Sequence, residues 1–171
     1  MAGPADRNFI LSQGLEAPEA ASCSPVSSSL RFQPRVVGTL TLAGTILQTP
    51  AIFVFLAVVL WWSALVPRWN PFDHTFNATL GRRPGAPKLG PAAAPRRFSQ
   101  GMAATFATGI ASSLLAGWHV TAWTLEGFML AAVTALVVGR LCFGSFIYYT
   151  LKGQVAFAVR TLPWVRAVKT R

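Results

Sequence analysis

Two residues able to carry out acid–base chemistry, Asp73 and His74, stand side by side in the middle of the chain, in a segment rich in arginine. A carboxylate and an imidazole can act as general acid and base, and guanidinium groups bind phosphate and carboxylate anions. Neighbouring residues of a helix point in different directions, so these two side chains are not expected to converge on one substrate. The arginines of the segment are Arg82, Arg83, Arg96 and Arg97. We predict no catalytic residue here and assign these arginines to anionic lipid head groups, with a solvated basic face as the alternative.

Arg140 and Cys142 are two further candidates for function in the last apolar segment. An ionisable residue within a membrane helix is costly, and it usually faces protein, water or an interface. Arg140 would therefore either extend to the head groups or make a buried polar contact, with Gln48 or the acids of the central segment as conceivable partners. Two positions on a helix correspond to about 200° around its axis, so Arg140 is a poor partner for the thiol. We predict a buried, unreactive Cys142.

Metal binding and disulfide formation are not predicted. His119 lies beside Trp118 with no second ligand nearby, whereas a metal site needs several. Cys23 and Cys142 belong to no paired motif. Glu126 falls at the start of a predicted helix, where a carboxylate is favoured by the helix dipole. No cofactor and no enzymatic activity are expected.

The overall composition is typical of a membrane protein. Of the 171 residues 53% are hydrophobic and 12% are charged, whereas about a quarter of the residues of a soluble domain are charged. The formal net charge of +10 would suggest nucleic acid as a partner of a soluble protein. Here the basic residues gather beside apolar segments, where anionic lipid attracts them, so nucleic acid is not an expected partner.

A polar and basic segment, residues 67–99, separates two apolar halves. The first half would make roughly 46 Å of helix, more than the roughly 30 Å core of a bilayer, and Pro50 supplies a break. Two short helices are the prediction for this half, and one kinked, tilted helix is the alternative. The predicted membrane helices lie at about 35–48, 50–66, 100–118 and 122–149.

The distribution of charge predicts the orientation of these helices. Six basic residues of segment 67–99 face one acid, Asp73, and such an excess beside membrane helices marks a cytoplasmic loop. The connection WHVTAWTLE between the last two predicted helices contains no Lys or Arg, as expected of an outer loop. Both termini would then be cytoplasmic. Within the cytoplasmic loop, Asn70 and Pro71 are typical of the start of a helix, and a short amphipathic helix is predicted there.

The predicted fold class is an all-α integral membrane protein. Residues 35–153 would form four transmembrane helices, arranged as two hairpins and joined by the basic loop with its amphipathic helix. Residues 1–34 show no sustained period and are predicted to be a disordered tail. Residues 154–171 are predicted to be a basic interfacial tail.

Small residues recur at every fourth position in the last two predicted membrane helices. Such rows let membrane helices approach closely, so these two helices are predicted to form a tight pair. The residues assigned to packing are Gly109, Ser113, Gly117, Gly127, Ala131, Ala135 and Gly139.

Four sequence blocks together resemble a known family. They are NPFDHTFN at 70–77, the RR-x-G-x-P-x-L run at 82–89, PRRFSQGMA at 95–103 and LCFGSFIYY at 141–149. In order and spacing they resemble the bacterial membrane family catalogued as domain of unknown function 4395, over about residues 34–152. Many relatives carry Cys-x-Gly-Cys near the end of the last helix, which implies thiol chemistry, and some are associated with thioredoxin-like or sulfurtransferase-like proteins. Here Ser145 replaces the second thiol, so a dithiol/disulfide cycle within this motif is excluded.

The functional prediction is a non-enzymatic accessory or scaffolding subunit of the bacterial cytoplasmic (inner) membrane. It would hold anionic lipid with its cytoplasmic loop and pack against a membrane protein partner or a second copy of itself. One alternative is a thiol-redox or sulfur-transfer partner that uses Cys142 as a lone thiol. Another is a small transporter, which only Arg140 and Glu126 support.

Overall fold

The computed structural model describes residues 4–16, 20–82 and 86–165, and these residues form helices and connections without a strand. The helices are α1 Pro4–Ser12, α2 Ala20–Leu30, α3 Phe32–Leu47, α4 Pro50–Leu65, α5 Pro71–Ala78, α6 Ala94–Leu115, α7 His119–Val137, α8 Phe143–Leu151 and α9 Val155–Arg160. Short 3-10 turns occupy Pro67–Trp69 and Leu80–Arg82. The all-helical part of the predicted fold class is confirmed.

The first apolar half divides into two helices at Pro50. α3 ends before Gln48, which has a left-handed conformation with φ 46° and donates its backbone N–H to Gly44 O. α4 begins at Pro50, where the missing N–H costs no helical hydrogen bond. Two separate helices, rather than one kinked helix, therefore occupy this half.

The central bundle consists of α3, α4, α6 and α7. α6 makes its most extensive contact with α4, and α7 packs against both α6 and α3. Alanine at positions 104, 107 and 111 gives α6 a smooth face, which allows neighbouring helices to come close. The shared core includes Val37, Phe53, Leu56, Leu60, Ala104, Ala107, Ile110 and Met129.

The bundle has two distinct ends. One end, here called the loop end, is where α4 finishes beside the start of α6, because Arg97 Nε donates to Ala64 O at 2.9 Å. The opposite end is here called the far end. At the far end, the turn after α3 meets the N-terminal half of α7, since Gln48 Nε2 donates to Glu126 Oε2 at 3.1 Å.

Residues 4–12 and 20–30 are helical, unlike the predicted disordered tail. α1 and α2 pack on each other and bury Phe9, Ile10, Cys23 and Leu30 together with Leu136, near the end of α7. Sequence periodicity missed α1 because its buried face includes polar residues such as Asn8. The Asn8 side chain donates to the carbonyls of Leu162 and Val165, both at 2.9 Å. A partner so distant in sequence leaves no local pattern. The predictions for residues 1–3, 17–19, 83–85 and 166–171 concern positions outside the described residues.

The last predicted helix, about 122–149, is in fact two helices. α7 ends at Val137 and α8 begins only at Phe143. Between them Arg140 has a left-handed conformation with φ 55°. A Cβ added at Gly139 would lie 2.7 Å from Ala135 O, so this turn requires glycine. The helical angle of about 200° between Arg140 and Cys142 therefore does not apply.

The predicted small-residue rows serve packing only in part. A Cβ added at Gly109 would lie 3.2 Å from Leu125 Cδ1, so α6 and α7 are close at that point. A Cβ at Gly117 or Gly127 would meet nothing within 4 Å, and Gly127 and Ala131 are exposed. The row on α7 thus faces away from α6.

Within the described residues, one helix is long and apolar enough to cross a membrane. This helix is α7, with 19 residues, and only 17% of its most apolar window is buried inside the protein. α4 is also apolar but shorter, with 16 residues.

Candidate functional site

A buried ion pair joins α5 to α6 at the loop end. Arg96 Nη2 lies 2.5 Å from Asp73 Oδ1, and each side chain is 8% exposed. Asp73 stands in the first turn of α5, which begins where Asn70 Oδ1 accepts from the Phe72 N–H. Ser63 Oγ of α4 donates to the same Asn70 oxygen at 3.2 Å. The N-cap of α5 is thus tied to α4, and this fixes the position of the carboxylate.

Two glutamines extend the ion pair into the bundle. Gln33 Oε1 of α3 accepts from Arg96 Nη2 at 3.1 Å and from Gln100 Nε2 at 2.8 Å. Gln100 Oε1 and Asp73 Oδ2 are buried and have no hydrogen-bond partner among the described residues. The hydrogen bond from Arg96 to Gln33 supports the ion pair, because the attraction within a buried pair offsets the cost of desolvation only when further hydrogen bonds are made. The cluster Asp73, Arg96, Gln33 and Gln100, here called the polar cluster, fixes α3, α5 and α6 relative to one another.

A second cluster surrounds the thiol of Cys142, which is 7% exposed and precedes the first residue of α8. Ser145 Oγ donates to the sulfur at 3.2 Å, and Ser99 Oγ of α6 lies 3.4 Å from it. Gln13 Nε2 donates to Ser145 Oγ at 3.3 Å. The predicted burial of Cys142 is confirmed, whereas its predicted place within a continuous helix is wrong.

Glycine at position 144 brings the thiol cluster together. A Cβ added there would lie 2.7 Å from Ser99 Cα and 2.5 Å from Ser99 Oγ. Because one of these atoms is backbone, only glycine lets α8 approach α6 this closely. Gly144 of the Cys-Phe-Gly-Ser sequence therefore has a packing role that sequence reasoning missed.

A cavity of about 80 Å³ lies between the two clusters, bordered by Phe9, Gln13, Gln33, Arg96, Gln100 and Cys142 among others. A second cavity of about 120 Å³ shares Cys142 and Ser99 in its lining. Such volumes hold a few water molecules or a small ligand. The hydrogen-bond partners of Cys142 in the described part of the chain are hydroxyls, whereas a cysteine nucleophile is activated by a neighbouring base.

Asp73 and His74 differ in their surroundings. His74 is exposed, with Nε2 3.1 Å from Arg68 O and its ring beside that of Trp69. Asp73, in contrast, is buried against Arg96. Both residues border a cavity of about 80 Å³ together with Arg68 and Asn77, but the Asp73 carboxylate is engaged by Arg96 and no described hydrogen bond joins it to the His74 imidazole.

Of the four arginines assigned to lipid, the three that the structure describes lie in different surroundings. Arg96 is 7% exposed and its guanidinium is bonded to protein groups, so the structure contradicts its assignment to lipid head groups. Arg97 is bonded to the backbone of α4, and Arg82 is exposed at the end of a 3-10 turn. Arg83 lies outside the described residues.

Arg140 has an acidic partner in the segment predicted to be a tail. Its Nε lies 3.0 Å from Asp6 Oδ1, so neither Gln48 nor an acid of the central segment is its partner. Gln48 instead contacts Glu126 and accepts from Trp123 Nε1 at 3.0 Å. Glu126 is 1% exposed, so its role is a buried contact at the far end. The predicted place at the start of a helix is wrong, because α7 begins at His119 and the dipole effect is confined to the first turn.

Among the described residues, no three His, Cys, Asp or Glu side chains are placed to hold a metal ion.

The helices and the two clusters define a small all-α protein with a polar interior at one end and an apolar outer face. The chain belongs to the family described as domain of unknown function (DUF4395), whose sequence profile matches residues 27–152. The match covers α3 to α8 and therefore all members of both clusters except Gln13. No curated protein and no solved structure matches the chain.

Proposed function

We propose that this protein is a polytopic, non-enzymatic accessory subunit of the bacterial cytoplasmic membrane. In this proposal α3, α4, α6 and α7 are four membrane spans, and both termini are cytoplasmic. The observation that carries it is the position of the exposed tryptophans, supported by the apolar surface between them.

Exposed tryptophans stand at both ends of the bundle. Trp62 and Trp69 lie at the loop end, and Trp118 and Trp123 lie at the far end. α6 connects the two ends with 22 residues, or about 33 Å of helix. The core of a bilayer is roughly 30 Å thick and tryptophan favours its two interfaces. The spacing of the tryptophans therefore fits a membrane.

Large apolar side chains cover the surface between these tryptophans. Soluble monomers rarely expose large contiguous apolar patches. α3 and α4 have 16 residues each, about 24 Å of helix, and a bilayer accommodates short spans by local thinning. The exposed side chains include Leu42 and Ile46 of α3, Val54, Phe55 and Val58 of α4, and Val120, Phe128 and Val138 of α7.

The accessory role is supported by the unused face of α7. Gly127 and Ala131 are exposed on a helix that is largely unburied, and small residues at this spacing suit close contact with another membrane helix. A second copy of this chain or another membrane protein would occupy that face.

A second candidate function is membrane thiol chemistry. One observation favours it: Cys142 lines two cavities, so its thiol is not enclosed on every side by closely packed side chains.

The proposed topology predicts opposite accessibility of the two ends. In a variant lacking Cys23 and Cys142, cysteine is introduced at Lys88 or at Val120, both exposed positions. A membrane-impermeant maleimide added to intact cells should label the Val120→Cys protein, and the Lys88→Cys protein only after lysis. Labelling of both from outside, or recovery of the protein in the soluble fraction, would contradict the four-span proposal.

The accessory proposal predicts that a bulky side chain at Gly127 weakens association. Gly127→Leu should lower, by about tenfold, the yield of disulfide cross-links formed through Ala131→Cys in native membranes, because helix backbones could no longer approach. Gly101→Leu is the matched control, since a Cβ at Gly101 also meets nothing within 4 Å but lies on α6. Equal yields in both variants would remove the role of the α7 face.

A further inference from the structure

A groove runs between α3 and α7 and ends at a group of arginines. We propose that it binds an anionic phospholipid, with the phosphate at Arg35 and Arg31 and an acyl chain along the groove. This inference rests on the membrane location proposed above. The proposed lipid contact thus lies between α3 and α7, and not in segment 67–99, where the sequence predicted it.

The groove has a volume of about 440 Å³. A Cβ added at Gly38 would lie 2.7 Å from Val133 Cγ1, so the two helices touch closely at this point and form the floor. The walls are apolar except for threonine hydroxyls, and Thr39 Oγ1 already donates to the Arg35 backbone at 2.9 Å. The lining includes Gly38, Thr39, Leu42, Leu130, Thr134 and Val138. Such a surface suits a hydrocarbon chain.

Arg35 lies exposed at one end of the groove lining and has no ion pair among the described residues. Arg31 lies beside it, because its Nη1 donates to the carbonyl of Val137, a groove residue, at 3.2 Å. This contact also satisfies a carbonyl in the last turn of α7, where cations are favoured. Two guanidinium groups therefore stand where the apolar groove ends.

The charges around this end are unbalanced. Arg31, Arg35 and Arg140 face one described carboxylate, that of Asp6, which is paired with Arg140. Three positive charges against one negative charge leave +2. Burial lowers the pKa of Arg31, as do Arg140 and then Arg35, while Asp6 raises it. A bound phosphate would offset this repulsion.

An anionic lipid satisfies both features at once. Guanidinium groups bind phosphate oxygens with paired hydrogen bonds, and the adjoining groove takes the chain attached to that phosphate. A soluble phosphate would leave the groove exposed, and a zwitterionic lipid would leave the excess charge in place.

The experiment uses the full chain purified in mild detergent and native mass spectrometry with added phosphatidylglycerol or phosphatidylcholine. We expect retention of phosphatidylglycerol over phosphatidylcholine. Arg35→Gln should weaken it about fivefold, which corresponds to roughly 1 kcal/mol for one basic residue near an anionic surface. Thr39→Phe, which fills the groove and keeps every charge, should weaken it as well. Arg68→Gln is the control, because Arg68 is also exposed but lies in the 3-10 turn after α4, away from the groove lining.

Three outcomes would overturn the proposal. The first is an equal loss in the Arg35 and Arg68 variants, which would show diffuse attraction to basic surface. The second is unchanged retention in the Thr39 variant. The third is displacement of the lipid by millimolar inorganic phosphate, which would indicate a soluble anion. Without lipid, the Arg35→Gln variant and the parent protein should have the same melting temperature, because the Arg35 side chain makes no hydrogen bond or ion pair among the described residues. Membrane location is tested separately by the labelling experiment, so failure of either proposal can be recognised.

Discussion

Replacement of Arg96 by methionine should lower the free energy of unfolding by about 3–5 kcal/mol, the usual cost of removing one partner of a buried ion pair. Methionine keeps much of the length of the side chain but leaves the Asp73 carboxylate buried without its cation. It also removes one of the two donors to Gln33 Oε1, the other being Gln100 Nε2. Thermal unfolding in detergent, followed by the helical circular dichroism signal, measures the loss.

The neighbouring arginine provides a matched control for this prediction. Arg97→Met removes the same charge from the same turn of α6, but only one bond, to Ala64 O, so its effect should be about 1 kcal/mol. Adding Asp73→Asn to Arg96→Met should recover part of the lost stability, because the unpaired charge is then gone. Similar effects of Arg96→Met and Arg97→Met would show that the polar cluster does not hold the loop end together.

How far the sequence predicts the fold depends on whether the relevant forces are local. Pro50 and the left-handed Gln48 divide the first apolar half within a few residues, and this break was predictable from proline chemistry. The N-cap of α5 at Asn70 is equally local. α1 was not predictable, because the side-chain nitrogen of Asn8 on its buried face donates to carbonyls more than 150 residues away in sequence.

The pairing of charges was also beyond the reach of the sequence. Arg96 and Arg97 are adjacent, so they share the same sequence neighbours. Arg96 is nevertheless buried against Asp73, whereas Arg97 donates to the backbone carbonyl of Ala64. Only the packing of α5 against α3 and α4 decides between them. Likewise, the break after α7 depends on Gly139 and on Arg140 in a left-handed conformation. The sequence on both sides of the break is apolar, and this pattern predicted one continuous helix.

Gly144→Ala should move α8 away from α6 and expose the thiol of Cys142. The added methyl group would lie 2.7 Å from Ser99 Cα, and overpacking of this kind costs about 1–3 kcal/mol. In a Cys23→Ser background, alkylation by N-ethylmaleimide should become about tenfold faster, because a destabilisation of about 1.4 kcal/mol raises the open population tenfold. The parent protein should react far more slowly than its unfolded chain, since Cys142 is 7% exposed and its sulfur is hydrogen-bonded to two hydroxyls.

Gly101→Ala separates this effect from a general response to alanine. A Cβ at Gly101 meets nothing within 4 Å, and alanine in a helix is favoured over glycine by up to about 1 kcal/mol. This variant should therefore keep the slow alkylation of the parent and gain slightly in melting temperature. Equal rates in the Gly144 and Gly101 variants would show that glycine is not what brings α8 to Ser99. Fast alkylation of the parent itself would mean that the thiol is open to reagents, and thiol chemistry would then replace the accessory role as the leading function.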